Sequence, residues 1–368
     1  MNKIIIFHQE FDRAAGTERV LYNIAEFFGE MPDSEVTLLL NSKSENLVFE
    51  IDKLPIKIES LGLKPIKSGK LSLIIYYLKV YRRLSSYLKR LDKSYKYTLI
   101  CSNATLSALA YFTSKDRNNI KIIACEHFSY HVAGKFSRLL RKQFYSNVNI
   151  VSLTEKDRAV FQNEFNPNIC ICIPNAIPFV PRSYNGYDKK VILSIGRFTY
   201  QKGYDLLLKA ISKLDREIFD DWKVIIVGED YGDRKMMEDI IERYNLSFVE
   251  LHPPSATIQE YYANSTFYVM SSRFEGLPMV LLESVGFGLP IVSFDCPTGP
   301  SEVVNDENGI LVPAENIEKL SEAIEFMIKN RDQIAKKSLG AEKTALLYTK
   351  ERINGMWKNL LDQIWLKD

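Results

Sequence analysis

Short apolar runs recur at helix-length intervals, and this alternation constrains the fold more than any other feature: KIIIF (3–7), VTLLL (36–40), YTLICS (97–102), KIIAC (121–125) and NIVSL (149–153). The stretch from about Thr17 to Gly29 reads as a helix between the first two runs. Strands joined through helices pair in parallel, because the crossover brings the chain back to run in the same direction. The pattern therefore prescribes a doubly wound α/β sheet. It breaks at IPNAIPFVPRSYNGYDKK (173–190), where Pro174, Pro178, Pro181 and Gly186 interrupt any regular element. It then resumes with KVILSIG (190–196), WKVIIVG (222–228), SFVEL (247–251), STFYVMSS (265–272), PIVSF (290–294) and GILVP (309–313). Two α/β domains are expected, over 1–178 and 190–349 with a linker at 179–189, and a terminal helix at about 350–368 that packs back on the first. A chain of 368 residues is also longer than one core usually holds. Open parallel sheets bind ligands beyond the carboxyl ends of their strands. Two Rossmann-like domains facing across a cleft should thus gather their functional residues just after strands.

Composition removes several classes. No run of eighteen apolar residues occurs, and Met1-Asn2-Lys3 leads straight into the first strand, so a cytoplasmic protein is expected. Of the five cysteines only Cys170 and Cys172 are close, on one face of a strand and without the second cluster a zinc site needs; reduced thiols are expected. The net charge of +2 hides an asymmetry: residues 1–180 hold 25 basic and 17 acidic residues, the remainder 23 and 29. Ten basic residues and one acid, Asp92, lie between Lys64 and Lys96. Within that tract LSLIIYYLKVYRRLSSYLKR (71–90) sets Leu, Ile and Tyr at helical spacing beside Lys79, Arg82, Arg83, Lys89 and Arg90. Two readings stand: a helix lying at an anionic membrane surface, or a domain helix with a solvated basic face. Nucleic acid is not an expected partner, since no reading motif accompanies the basic tract.

The stretch SRFEGLPMVLLESVGFGLP (272–290) places seven residues, mostly apolar, between Glu275 and Glu283. Pro278 marks a helix start, so Glu275 falls in the loop before the helix and Glu283 inside it. A carboxylate on a buried helix needs a partner, either a donor in the core or a ligand. The amides of Leu277, Met279 and Val280, with Gly276 before them, open this helix and form one anion site. The loop SIGRFTYQKG (194–203) offers a second, with Arg197 and Lys202 between Gly196 and Gly203. In DRAAGTERV (12–20), Gly16 permits close approach to a ligand and Thr17 can cap a helix, but the G-x-G-x-x-G signature of dinucleotide binding is missing. ACEHFSY (124–130) puts Glu126 and His127 at a strand end, and Glu302 in DCPTGPSEVV (295–304) is either a ligand contact or a first-turn carboxylate.

Together these positions resemble the family-4 retaining glycosyltransferases of the two-Rossmann GT-B fold. The resemblance rests on the glutamate-seven-glutamate pattern EGLPMVLLE, with GRFTYQKG, AAGTERVLYNIA, EHFSY, SLTEKDRAVF, IPNAI and NGILVP in matching order. It implies that Glu275 contacts the hydroxyls of the donor sugar and Glu283 the ribose of its nucleotide. It further implies that Arg197 and Lys202 flank the donor diphosphate, that Gly16 lies in the family's glycine loop, and that His127 contacts the sugar. The implied reaction transfers a hexose or N-acetylhexosamine from a nucleoside-diphosphate sugar, a UDP-sugar by family frequency, to a saccharide acceptor with retention. Membrane binding would make that acceptor lipid-linked, as in O-antigen, capsule or lipopolysaccharide assembly, with the enzyme peripheral on the inner face of the cytoplasmic membrane. No D-x-D triplet occurs, so neither a metal nor another cofactor is expected. Two alternatives share this architecture, a nucleotide-sugar epimerase and a non-catalytic nucleotide-sugar-binding protein.

Overall fold

The computed structural model describes residues 2–12, 16–42, 46–64, 69–127, 129–130 and 134–366. Outside them lie Met1, 13–15 of the glycine loop, 43–45, 65–68 of the basic tract, Phe128 of EHFSY, 131–133 and 367–368. The chain forms two compact units, Met1–Ile173 with Asn354–Asp368, and Pro174–Ile353.

The first unit holds a seven-stranded sheet of β1 (Asn2–His8), β2 (Ser34–Ser42), β3 (Lys57–Leu63), β4 (Tyr97–Cys101), β5 (Ile120–Glu126), β6 (Asn149–Ser152) and β7 (Ile169–Cys172). Their order is β3-β2-β1-β4-β5-β6-β7, and every pairing is parallel. The helix Gly16–Gly29 buries Val20, Leu21, Ile24, Ala25 and Phe28, the one-sided spacing of a helix lying on a sheet. The helix Lys70–Arg90 buries Tyr76, Val80, Leu84 and Leu88 at four-residue intervals. The last residues of the helix Lys350–Leu366 belong to this unit, where Trp365 Nε1 donates to Thr98 Oγ1 at 3.0 Å. The ring of Trp365 also lies under the ammonium groups of Lys96 and Lys121.

The second unit holds β8 (Val191–Ile195), β9 (Lys223–Val227), β10 (Val249–His252), β11 (Phe267–Met270), β12 (Ile291–Asp295) and β13 (Gly309–Pro313) in the order β10-β9-β8-β11-β12-β13. These pairings are parallel as well. Phe198, Leu207, Phe267, Phe294, Leu320 and Ile324 are among its fully buried core residues. Both units are therefore Rossmann-like. Each sheet reverses its winding beside its first strand, at β1/β4 and β8/β11, which opens a crevice over the carboxyl ends of those strands. That topology places the loops after β8 and β11 next to each other.

Candidate active site

In the second unit those two loops are stitched together by short polar contacts. Gln201 Nε2 donates to the Phe274 carbonyl at 3.0 Å, Ser271 Oγ to the Lys202 carbonyl at 3.0 Å, and the Arg273 amide to the Gln201 carbonyl at 2.8 Å. Arg273 forks onto Asp205 through two contacts of 2.9 Å, reaches Glu315 at 3.2 Å, and stacks its guanidinium 4.0 Å from the centre of the Tyr200 ring. Burial raises the carboxyl pKa of Asp205, but the Arg273 fork and the nearby Lys209 ammonium together outweigh it, and the net shift is downward. The turn carrying Lys202 is thus fixed from outside by a planar bidentate pair.

Within this frame Lys202 Nζ lies 2.7 Å from Glu275 Oε1, with side-chain exposures of 15% and 9%. Gln201 Nε2 is 3.5 Å from the other carboxylate oxygen. The Lys202 side chain passes over Gly196, where a Cβ would come within 2.9 Å of Lys202 Cε. Arg197, from the same loop, is exposed and stands 5.4 Å from the centre of the Tyr231 ring; no ion pair engages it among the described residues. The structure brings Lys202 and Glu275 into contact and leaves Arg197 exposed, with its guanidinium near the Tyr231 ring.

The loop after β12 closes on the same carboxylate-bearing strand end. The Glu275 amide donates to the Pro297 carbonyl at 3.1 Å, and the Thr298 amide to the Glu275 carbonyl at 3.2 Å. Gly299 sits at φ 81°, and a Cβ there would fall 1.8 Å from the Gly276 carbonyl oxygen, so no larger residue fits without moving the loop. Glu302 lies in the short helix Pro300–Val303, where its carbonyl accepts from the Tyr348 hydroxyl at 2.7 Å. The helix Met279–Gly286 follows Pro278 with no side chain capping it, and it buries Leu281, Leu282 and Val285. Leu277 is buried before it, while Gly276, Met279 and Val280 are half-buried. Glu283, half-buried on this helix, accepts a hydrogen bond of 2.6 Å from the Tyr262 hydroxyl. One basic side chain, two carboxylates and an uncapped helix start therefore share the carboxyl edge of one sheet, an arrangement suited to an anion with hydroxyl-bearing neighbours.

In the first unit, Glu126 and His127 have different fates. Glu126 ends β5 and is buried in a fork from Arg141, with contacts of 3.0 and 2.6 Å, and also accepts from the Tyr145 hydroxyl. That carboxylate is tied into the core. His127 follows the strand, and its Nε2 is enclosed with no hydrogen-bond partner among the described residues. Burial, with the neighbouring His8 adding to it and Glu18 opposing, lowers its pKa to about 4, so the ring is neutral near pH 7. His8, the last residue of β1, contacts Ser102 Oγ at 2.7 Å and Glu18 Oε1 at 3.3 Å. Gly16 opens the helix that carries Glu18 and is exposed.

Sequence reasoning missed Arg273, Gln201 and Tyr262 in the second unit, and His8, Glu18 and Ser102 in the first. The strand-end rule had the means to find His8, Ser102 and Arg273, each of which sits at or just past the carboxyl end of a strand. Tyr262 carries no local signal. Among the described residues no group of three or more His, Cys, Asp or Glu side chains is arranged to hold a metal ion.

The family model for glycosyl transferases group 1 matches residues 181–344, the span that contains both loops and both glutamates. The chain is 30% identical over 273 residues to the amylovoran biosynthesis glycosyltransferase AmsD of Erwinia amylovora, covering 72% of this chain and 77% of that protein. It is 29% identical over 372 residues to an uncharacterized glycosyltransferase of Haemophilus influenzae, covering 98% of this chain and 100% of that protein. Among solved structures, Anabaena Alr3699/HepE in complex with UDP superposes with a TM-score of 0.76 at 16% identity, over 99% of this chain and 100% of that one.

Proposed function

The chain belongs to the group 1 glycosyl transferases, and from that premise we propose that it moves a hexose or N-acetylhexosamine from a UDP-sugar to a saccharide acceptor with retention at the anomeric carbon. The observation that carries this reading is the Lys202–Glu275 contact beside the uncapped start of the Glu283 helix. A nucleoside-diphosphate sugar presents the matching groups in one molecule: a diphosphate, sugar hydroxyls and a ribose diol. The likeness to AmsD supports a place in surface polysaccharide assembly, and the UDP in Alr3699/HepE supports the choice of nucleotide.

Each residue then has a task. Arg197 is exposed and not ion-paired among the described residues, so its planar fork is available to the diphosphate; the Lys202 ammonium has three donors and serves Glu275 and a phosphate oxygen together. The amides of Leu277, Met279 and Val280 face the same charge. Glu275 accepts from a hydroxyl of the transferred sugar, Glu283 from the ribose, and neutral His127 hydrogen-bonds a sugar hydroxyl. In the reaction the bond from the anomeric carbon to the phosphate oxygen breaks and the bond to the acceptor oxygen forms on the same face. The acceptor proton passes to the departing phosphate. The protein supplies position and charge stabilisation, with Arg197, Lys202 and the helix start in the role a divalent metal fills elsewhere.

The reading extends to where the acceptor resides. The helix Lys70–Arg90 exposes Leu71, Leu73, Ile74, Ile75, Leu78 and Tyr81, and next to them Lys79, Arg82, Arg83, Lys89 and Arg90. Apolar side chains followed by cations suit an anionic lipid surface, and hence a lipid-linked acceptor and a peripheral position on the inner face of the cytoplasmic membrane. Among the described residues no helix is long and apolar enough to cross a membrane.

A screen of UDP-glucose, UDP-galactose and UDP-N-acetylglucosamine tests the reading, by thermal protection and by release of UDP with and without saccharide acceptors. At least one should protect, and UDP should accumulate faster with an acceptor. Interconversion of the sugars without acceptor would instead identify an epimerase, and protection without any turnover a binding protein.

A further inference from the structure

Glu283 occupies a position where orientation matters, since a carboxylate that receives a ribose diol must present its lone pairs in one plane. The side chain that sets this plane comes from elsewhere in the sequence. Tyr262, in the helix Ile258–Ala263, is 1% exposed and donates its hydroxyl to Glu283 Oε2 at 2.6 Å. Its ring is held from two sides. Phe287, just past the end of the Glu283 helix, stacks at 5.5 Å with an interplanar angle of 12°, and Tyr268 of β11 stacks at 6.2 Å and 29°. Tyr268 is itself pinned, because its hydroxyl accepts from the Ile195 amide and donates to the Ile195 carbonyl, both at 3.1 Å. The position of Tyr262 is thus fixed by the carboxyl end of β8 and by the Glu283 helix.

We propose that Tyr262 is a positioning residue for nucleotide recognition: its buried hydroxyl holds the Glu283 carboxylate in the orientation that receives the ribose hydroxyls. Burial and the adjacent carboxylate raise the Tyr262 pKa well above the ordinary phenol value, so the hydroxyl keeps its proton and donates at any working pH. A short hydrogen bond from a buried hydroxyl to a carboxylate is among the stronger contacts a neutral donor makes. The side chain never touches the nucleotide; it acts through Glu283. The inference rests on the placement of Glu283 at the ribose.

The test compares UDP with its 2′,3′-dideoxy analogue by calorimetric titration of the full-length protein, for the unmodified form and for Tyr262→Phe, Glu283→Ala and the double variant. The preference for UDP over the dideoxy nucleotide is the readout, because it cancels any general loosening of the site. Tyr262→Phe should reduce that preference about tenfold, which corresponds to about 1.4 kcal/mol. Glu283→Ala should abolish it, and adding Tyr262→Phe to Glu283→Ala should change nothing further. A preference kept by Tyr262→Phe and lost in Glu283→Ala overturns the positioning role, even if the melting temperature falls, since a structural hydroxyl alone would do that. A preference kept in Glu283→Ala instead removes the ribose assignment on which the inference stands.

Discussion

Replacing Lys202 with methionine should destabilise the protein as well as disable it, because the ammonium holds a carboxylate that has little access to water. Glu275 is 9% exposed at its side chain, Lys202 15%, and they meet at 2.7 Å. Breaking a fully buried ion pair costs about 3–5 kcal/mol, since the remaining charge stays desolvated and unpaired. Here some water reaches the pair, and Gln201 Nε2, 3.5 Å from Glu275 Oε2, offers weak compensation. The expected loss for Lys202→Met is therefore about 2–3 kcal/mol. For a unit of this size that lowers the thermal midpoint by roughly 4–12 °C. The decisive comparison adds Glu275→Gln. With both charges gone nothing is stranded, so the double variant should be less destabilised than the sum of the singles by roughly 2 kcal/mol. Thermal and urea unfolding of the four proteins measure this coupling. Additive losses would show that the contact contributes nothing and that Lys202 is not held by Glu275 before substrate arrives.

Other outcomes follow from the same geometry. Arg197→Ala should slow transfer at least tenfold while Arg197→Lys recovers only part, and the unmodified enzyme should keep its rate in excess chelator; a rate abolished by chelator and indifferent to Arg197 would falsify the metal-free role of the cations. His127 has a folded pKa of about 4 against an ordinary 6.5, so the stability its neutral ring contributes is complete above pH 6.5 and is lost as pH falls from there toward 4. Urea titrations across that window should show a flatter pH dependence for His127→Gln than for the unmodified protein, and parallel curves would refute the assigned cause. Neutralising Lys79, Arg82, Arg83, Lys89 and Arg90 should release the protein from anionic vesicles, at about 1 kcal/mol for each residue near the surface, while activity on a water-soluble acceptor persists. Vesicle flotation measures this, and binding that survives the change refutes the membrane role.

The alternation of apolar runs with helix-length spacers was enough to read both parallel sheets, because a strand buried on both faces must be apolar along its whole length. β3 escaped for the complementary reason. It is an edge strand, KIESLGL, with Leu61 as its only buried residue, so it carries no hydrophobic run to detect. The strand-end rule led to Arg197, Lys202, Glu275 and His127, since topology puts functional side chains there. What a sequence cannot show is partnership at a distance. Lys202 and Glu275 meet across a separation of 73 residues, and Tyr262 reaches Glu283 from a different helix. Glu126 and His127 are adjacent in the chain, yet only Glu126 is held by a buried fork, from Arg141 fifteen residues away.

The anomeric outcome of donor hydrolysis tests the central claim most directly, because it needs no knowledge of the acceptor. Enzyme incubated with a protecting UDP-α-sugar and water alone should release UDP slowly, and proton NMR taken before mutarotation should show the α-anomer of the free sugar appearing first. Early appearance of the β-anomer would contradict retention. If none of the UDP-sugars is bound or consumed, the Lys202–Glu275 site is not a UDP-sugar site.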